Sequence, residues 1–287
     1  MKTTKFLLGL FIAIFAFSAC HKDDDSNDVT TTVQYLTKVT ETNIKGEKTT
    51  TSIEYNSNNK VQKVTVKDST TTTYKYEYDS NGKLSKKIII IGDSTSYNTY
   101  SWNDNQITIK TFASLEDDNP SLQTISTLDA NGMVKESLVK MYFFATWVDL
   151  MKFYYTNVNN NTTKIETESL ISNRKNSTLN KYYSYALKTI NSKFPITGLK
   201  SINTKTTLLT AEYDGNNNPY RNRTFDINSF NFLGNSANNV IKLTTYNNDG
   251  TSKTITIKYE YKNEYPSTGI TKDDKDNKIS DIVYEYK

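Results

Sequence analysis

Residues 74–90, YKYEYDSNGKLSKKIII, alternate aromatic and polar side chains, break at a turn, and alternate again. Side chains along a strand point to opposite faces with a period of two, so each half of this stretch has one face to bury and one to wet. At the break, Asp79-Ser80-Asn81-Gly82 places Asp at the start of a type I turn and Gly where the chain must take φ > 0. This predicts a three-residue loop closed by a G1 bulge. Its register sets Tyr78 opposite Leu84 on one face and Asp79 opposite Lys83 on the other.

The hairpin recurs along the chain. Close relatives are Ile53 to Val61 and Ser126 to Val134, and weaker copies occupy Tyr100 to Asn105, Glu212 to Asn217 and Thr245 to Gly250. Tyr55 precedes Tyr78 by 23 residues, Tyr78 precedes Trp102 by 24, and Trp102 precedes Leu128 by 26. That spacing suits one hairpin per repeat, two strands and two turns. A Glu-Tyr pair marks Glu54-Tyr55, Glu77-Tyr78, Glu212-Tyr213, Glu260-Tyr261 and Glu285-Tyr286, which writes one aromatic and one charged face across the sheet. Two readings of the aromatic face stand side by side. An exposed platform would stack sugars or aromatic ligands, with Tyr74, Tyr76, Tyr78 and Trp102 as contacts; alternatively the rings pack across strands.

Composition supports strands throughout. There are 21 Tyr, abundant Thr, Ile and Val, 10 Gly and 4 Pro. The expected fold is an all-β antiparallel meander of repeated hairpins, a large curved sheet or open barrel over residues 33–287. Residues 137–155 break the repeat as an apolar run: a helix would set Val139, Phe143, Trp147, Leu150, Met151 and Tyr154 on one stripe, two strands bent near Ala145 to Asp149 fit as well, and either would plug the core. Lys175 to Thr207 reads as a strand pair with an irregular connection. Pro219 is expected to end a strand over Leu208 to Tyr213, and Arg221 to Asn239 to fold back as a lid. Val240 to Tyr246 with Thr251 to Tyr261, and the turn at Asp273 to Asn277, give the closing hairpins, with the carboxyl terminus held in a strand.

The amino terminus carries an address. Lys2 and Lys5 precede an apolar run from Phe6 to Phe17, too short for a stable span, and then Ser18-Ala19-Cys20. Cys20 is the chain's one cysteine, so the domain has no disulfide. Phe17-Ser18-Ala19-Cys20 resembles a bacterial lipobox, which implies a signal peptide over 1–19 and a diacylglycerol on Cys20. Residues 20–32, charged and without apolar side chains beyond Val29, read as a flexible tether. Lys22-Asp23-Asp24-Asp25 resembles the export signal of Bacteroidetes surface lipoproteins. Loss of Lys2 and Lys5 leaves 33 basic against 31 acidic residues. That balance argues against nucleic acid and against an anionic bilayer as main partner.

Little of the usual site chemistry is present. The one histidine, His21, lies in the tether, so the domain has no His-based acid, base or metal site. Lipidation consumes the thiol. Carboxylates alone could run glycosidase chemistry, but nothing singles out a pair. Asp and Asn clusters at 79–81, 117–119, 129–131 and 273–277 lack EF-hand spacing and suit turns. No cofactor and no metal are expected.

Two resemblances follow from these motifs. Glu77 to Leu84 is similar to the YD or Rhs repeat, a Tyr-Asp-x-x-Gly-Arg-Leu hairpin unit. The order of Tyr213-Asp214, Asn218-Pro219-Tyr220, Asn238 to Thr244, Tyr265-Pro266 and Ile282 to Tyr286 resembles a family of Bacteroidetes lipoproteins of unknown function with a porin-like fold. It implies a curled or closed antiparallel sheet and assigns no activity. The expectation is an outer-membrane lipoprotein, held at the cell surface by its lipid alone. Its function is read as non-catalytic binding of a glycan, a peptide or an envelope partner; a carboxylate-based glycosidase and a structural envelope protein are the alternatives.

Overall fold

A computed structural model describes residues 34–143, 145–170, 205–221, 235–247 and 249–287. Among these, sixteen strands pair in chain order, each antiparallel to its neighbours, and the last pairs with the first to close a barrel. They are β1 Leu36–Asn43, β2 Lys48–Tyr55, β3 Val61–Lys67, β4 Thr71–Tyr78, β5 Leu84–Ile91, β6 Ser94–Asn103, β7 Gln106–Phe112 and β8 Leu122–Leu128. The second half is β9 Val134–Phe143, β10 Thr146–Val158, β11 Asn161–Ser169, β12 Lys205–Asn217, β13 Asn238–Tyr246, β14 Ser252–Lys262, β15 Tyr265–Asp273 and β16 Lys278–Tyr286. The curved sheet is therefore closed and has no free edge to protect.

The hairpin at 79–83 forms as its residues dictate. Gly82 sits at φ 73° and its N–H donates to the Asp79 carbonyl, while Tyr78 pairs with Leu84. Asp79 turns its carboxylate onto the turn, accepting from the N–H groups of Asn81 and Lys83, so it does not pair with the Lys83 amine. Lys83 instead lies over the Trp102 ring. The same cap, an Asx oxygen accepting two turn N–H groups, recurs at Asn56, Asp129 and Asp273.

Pairing carries one face around the ring without a break. Val39 sits opposite Thr51, Ile53 opposite Val64, Val64 opposite Tyr74, and the row continues through Tyr100 and Ile109 to Leu243, Ile255 and Ile282. These residues form the buried cluster, and in a closed barrel the buried face is the one turned to the axis. The opposite face carries ion pairs: Lys38–Glu285, Lys63–Glu54, Lys140–Asp149, Lys152–Glu136, Lys164–Glu166 and Lys242–Glu212. The Glu of each Glu-Tyr repeat thus points out and its Tyr points in. Apolar residues also occur on the outer wall, as where Ile88 lies beside Tyr97 and Tyr97 beside Phe112, with the Tyr97 and Phe112 rings stacked at 4.4 Å, and where the Tyr142 and Trp147 rings lie 5.2 Å apart.

Several expectations change. Residues 137–155 form two strands, with Phe143 paired to Thr146, and half of the segment joins the core: Val139, Met151 and Phe153 face in while Leu138, Tyr142 and Trp147 face out. Glu212 to Asn217 is no hairpin, because β12 continues to Asn217 before Pro219 interrupts the ladder. The strand expected from Val240 starts at Asn238. Most of the strand pair expected over 175–207, and most of the lid expected from Arg221 to Asn239, lie outside the described residues, as do the signal and tether. The carboxyl terminus is held as expected, with backbone hydrogen bonds in both directions between Lys287 and Tyr35.

Candidate functional site: the inner wall of the barrel

The two rims differ. One carries the turns at 56–60, 79–83, 104–105, 129–133, 159–160 and 263–264 together with Tyr35 and Lys287. Here seven strand junctions share one arrangement. On β5, pairing with β6 starts only at Lys86, opposite Thr99, and the Leu84 carbonyl beyond it accepts instead from Trp102 Nε1 at 2.8 Å. Likewise Tyr55 donates to Leu36, Tyr78 to Val61, Asn157 to Val134, Tyr213 to Thr162, Tyr259 to Val240 and Tyr286 to Pro266. In each case the donor lies three residues past the last paired residue of its strand, and the acceptor two residues before its partner's first. A buried carbonyl needs a donor, and these side chains supply it where the backbone ladder has stopped.

The eighth junction supports this reading. Pairing of β7 with β8 runs to the strand end, Gln106 opposite Thr127, and the place directly before the turn that Tyr78 holds in its hairpin is taken by Leu128, whose backbone N–H continues the ladder to the Asn105 carbonyl. The aromatic repeat is therefore structural at this rim, and the inner ring of Tyr and Trp closes strand ends rather than forming an exposed platform.

Asn218, Pro219 and Tyr220 tuck inward behind this rim. Asn218 donates to the Ser236 carbonyl and accepts from the Tyr220 N–H. Tyr220 lies among Tyr284, Tyr286 and Glu41, and burial first, then these neighbours, push its phenol up. Beside it, Asp214 accepts from the Tyr261 hydroxyl, from the Asn239 backbone and from the Asn239 amide. Glu41, the one carboxylate buried among the described residues, accepts from Ser280 Oγ at 2.6 Å. Burial raises its carboxyl more than that hydrogen bond lowers it.

Tyr74, Tyr76, Tyr78 and Trp102 all face the interior on β4 and β6, with β5 between them. The structure divides them. Tyr78 and Trp102 belong to the capped rim. Tyr74 and Tyr76 lie deeper and flank Lys87, whose Nζ is 5.0 Å from the Tyr74 ring centre and 6.0 Å from that of Tyr76. Asn98 stands directly opposite Lys87 on β6 and also faces inward. Both are buried, Lys87 at 5% and Asn98 at 3% exposed. Sequence reasoning missed this pair. Strict alternation from Leu84 would turn Lys86 inward, but the pairing shifts by one residue at Ser85 and turns Lys87 in instead.

Fold and wall together define a closed, antiparallel, up-and-down barrel with an aromatic interior and a charged exterior. No family model and no curated protein matches the chain. Among solved structures it is similar to a porin-like protein from Bacteroides vulgatus ATCC 8482, at 16% identity and a TM-score of 0.39, covering 88% of this chain and 99% of that one. It is also similar to a porin-like protein from Bacteroides uniformis ATCC 8492, at 11% identity and a TM-score of 0.36, covering 88% and 98%.

Proposed function

We propose that this chain is an outer-membrane lipoprotein, anchored through Cys20, whose barrel stands outside the bilayer as a non-catalytic binding module. The observation that carries this reading is the polarity of the two faces. A barrel that spans a bilayer needs an apolar band outside, where a Lys at mid-depth costs about 2–4 kcal/mol. Here outward strand residues are charged and form ion pairs, Lys63 with Glu54, Lys152 with Glu136, Lys164 with Glu166 and Lys242 with Glu212. The buried apolar cluster is turned to the axis, and outward apolar residues such as Ile88 and Leu138 stand opposite lysines, Lys75 and Lys152. Attachment then falls to the lipid on Cys20, and display at the cell surface to Lys22, Asp23, Asp24 and Asp25. The inner wall of β4 to β6 is the ligand-contacting surface.

The test is fractionation of the full chain. Cys20→Ala should leave the protein soluble after cell lysis; a variant still retained in washed outer membranes would mean that the barrel inserts, and the reading would be wrong. Replacing Lys22, Asp23, Asp24 and Asp25 by Ala should preserve lipidation yet shield the protein from protease added to intact cells. Undiminished cleavage would remove surface display from the proposal.

A further inference from the structure

Across the closing seam of the barrel the inner wall holds a carboxylate beside aromatic rings. Glu41 on β1 faces inward opposite Ile282 on β16, Ile282 stands opposite Gly269 on β15, and Gly269 opposite Tyr259 on β14. A Cβ on Gly269 would lie 3.2 Å from the Tyr259 ring, so the bare backbone of β15 lets that ring lean across toward β16. There it meets Tyr284, which pairs with Val39 on β1; the ring centres are 6.3 Å apart and the planes tilted by 58°. The two rings form a corner, with Tyr259 level with Glu41 and Tyr284 one inward position away. Glu41 is 6% exposed, and Ser280 Oγ donates to one of its oxygens. Among the described residues no ammonium or guanidinium pairs with it, and Arg221, next in the chain after Tyr220, forms no ion pair with it. The titratable groups that feel its charge are Tyr220 and Tyr284, both acids. A buried carboxylate that no cation balances destabilises the fold, and a cation arriving with a ligand would relieve it. Away from the capped rim the wall opens to solvent, from buried Thr51 through half-buried Thr49, opposite Glu41, to the exposed turn at 44–47.

Independently of the wall of β4 to β6, we infer that this corner is a binding site for a methylated organic ammonium. The Glu41 carboxylate supplies the counter-charge, and the Tyr259 and Tyr284 rings supply the electron-rich surface that attracts N-methyl groups. A primary ammonium carries three N–H donors and needs acceptors for them. Glu41 already has one oxygen engaged by Ser280. A calcium ion takes about six to eight oxygen ligands, where this corner presents rings. A neutral molecule of the same shape would leave the carboxylate without its cation.

The experiment is calorimetric titration of the lipidated full-length protein, in a non-ionic detergent, with choline and with its uncharged isostere in which carbon replaces nitrogen. Choline should bind at least about tenfold more tightly than the isostere, the range expected for a desolvated cation held by rings and a carboxylate. Glu41→Gln keeps an acceptor for Ser280 and should abolish that preference, whereas Glu54→Gln, on the outer wall, should keep it. Equal affinity for the two compounds, no binding of either, or a preference that survives Glu41→Gln overturns the assignment. Displacement of choline by calcium or potassium chloride at matched ionic strength would mark an inorganic cation site and overturn it as well. The comparison of choline with its isostere uses the unaltered protein, so it decides the matter even if Glu41→Gln fails to fold.

Discussion

The Tyr78 hydroxyl donates a 2.7 Å hydrogen bond to the carbonyl of Val61, two residues before the point where β3 begins to pair with β4. A side chain thus finishes a backbone ladder, and the same relation joins six further strand pairs around the rim. Tyr78→Phe removes the donor and keeps the ring. The Val61 carbonyl then lacks its partner, and the domain should lose about 1–2 kcal/mol, read from the denaturant midpoint. An unchanged midpoint would mean that water serves the carbonyl equally well and that the ring of donors is incidental.

The two Asp-x-Asn-Gly turns are not equivalent. Gly82 and Gly132 both occupy the left-handed region, at φ 73° and 75°, and Asn59 holds the matching place in its own turn at φ 56°. A Cβ on Gly132 meets nothing within 4 Å, whereas one on Gly82 would strike the end of Lys60. Lys60 Nζ donates to the Gly82 carbonyl and sits 5.3 Å from the centre of the Tyr78 ring. Valine at either position should cost about 1 kcal/mol or more for the backbone. Asparagine should be tolerated at Gly132 and cost somewhat more at Gly82, where the flexible end of Lys60 must move off its partners. Equal midpoints for Gly82→Asn and Gly132→Asn would refute the steric part of this account.

Glu41 gives the domain a pH dependence of known sign. Burial raises its carboxyl, so between its unfolded and folded values the folded chain binds a proton that the unfolded chain has lost. Its contribution is complete below the unfolded value of about 4.3 and is lost as pH rises through the folded one. Glu41→Gln retains an oxygen for the Ser280 hydroxyl and removes the charge. It should raise the unfolding midpoint at pH 7 and leave it unchanged at pH 4. A variant less stable at pH 7 would show that the carboxylate is favourably held inside the barrel.

Val64 and Thr65 are adjacent in β3 and face opposite ways, Val64 to the interior at 1% exposure and Thr65 to the outer wall. Val64→Lys should destabilise the fold by about 3 kcal/mol or more, since it places a charge among apolar neighbours. Thr65→Lys should stay within about 0.5 kcal/mol. The reverse order would require lipid outside and water inside, and would overturn the face assignment on which the proposed function rests.

Much of this architecture is legible in the residues alone. The turns at 56–60, 79–83 and 129–133 follow from Asn and Asp at their first positions and from Gly or Asn where φ must be positive, because these are local steric demands. The Glu-Tyr pairs announce the two faces, because a strand alternates by geometry. Even the pairing shifts leave a trace: Val61, Val64 and Val66 all face inward at spacings of three and two, the signature of one inserted residue. Closure is different. It depends on β1 meeting β16, residues more than two hundred positions apart, and on the tilt accumulated over every intervening pair, so no local pattern encodes it. The site was likewise decided in three dimensions. In Lys86-Lys87-Ile88-Ile89-Ile90-Ile91 either phase carries one Lys and two Ile, and alternation cannot choose between them. The shift at Ser85 makes the choice, sending Lys86 out over Tyr97 and Lys87 in between Tyr74 and Asn98.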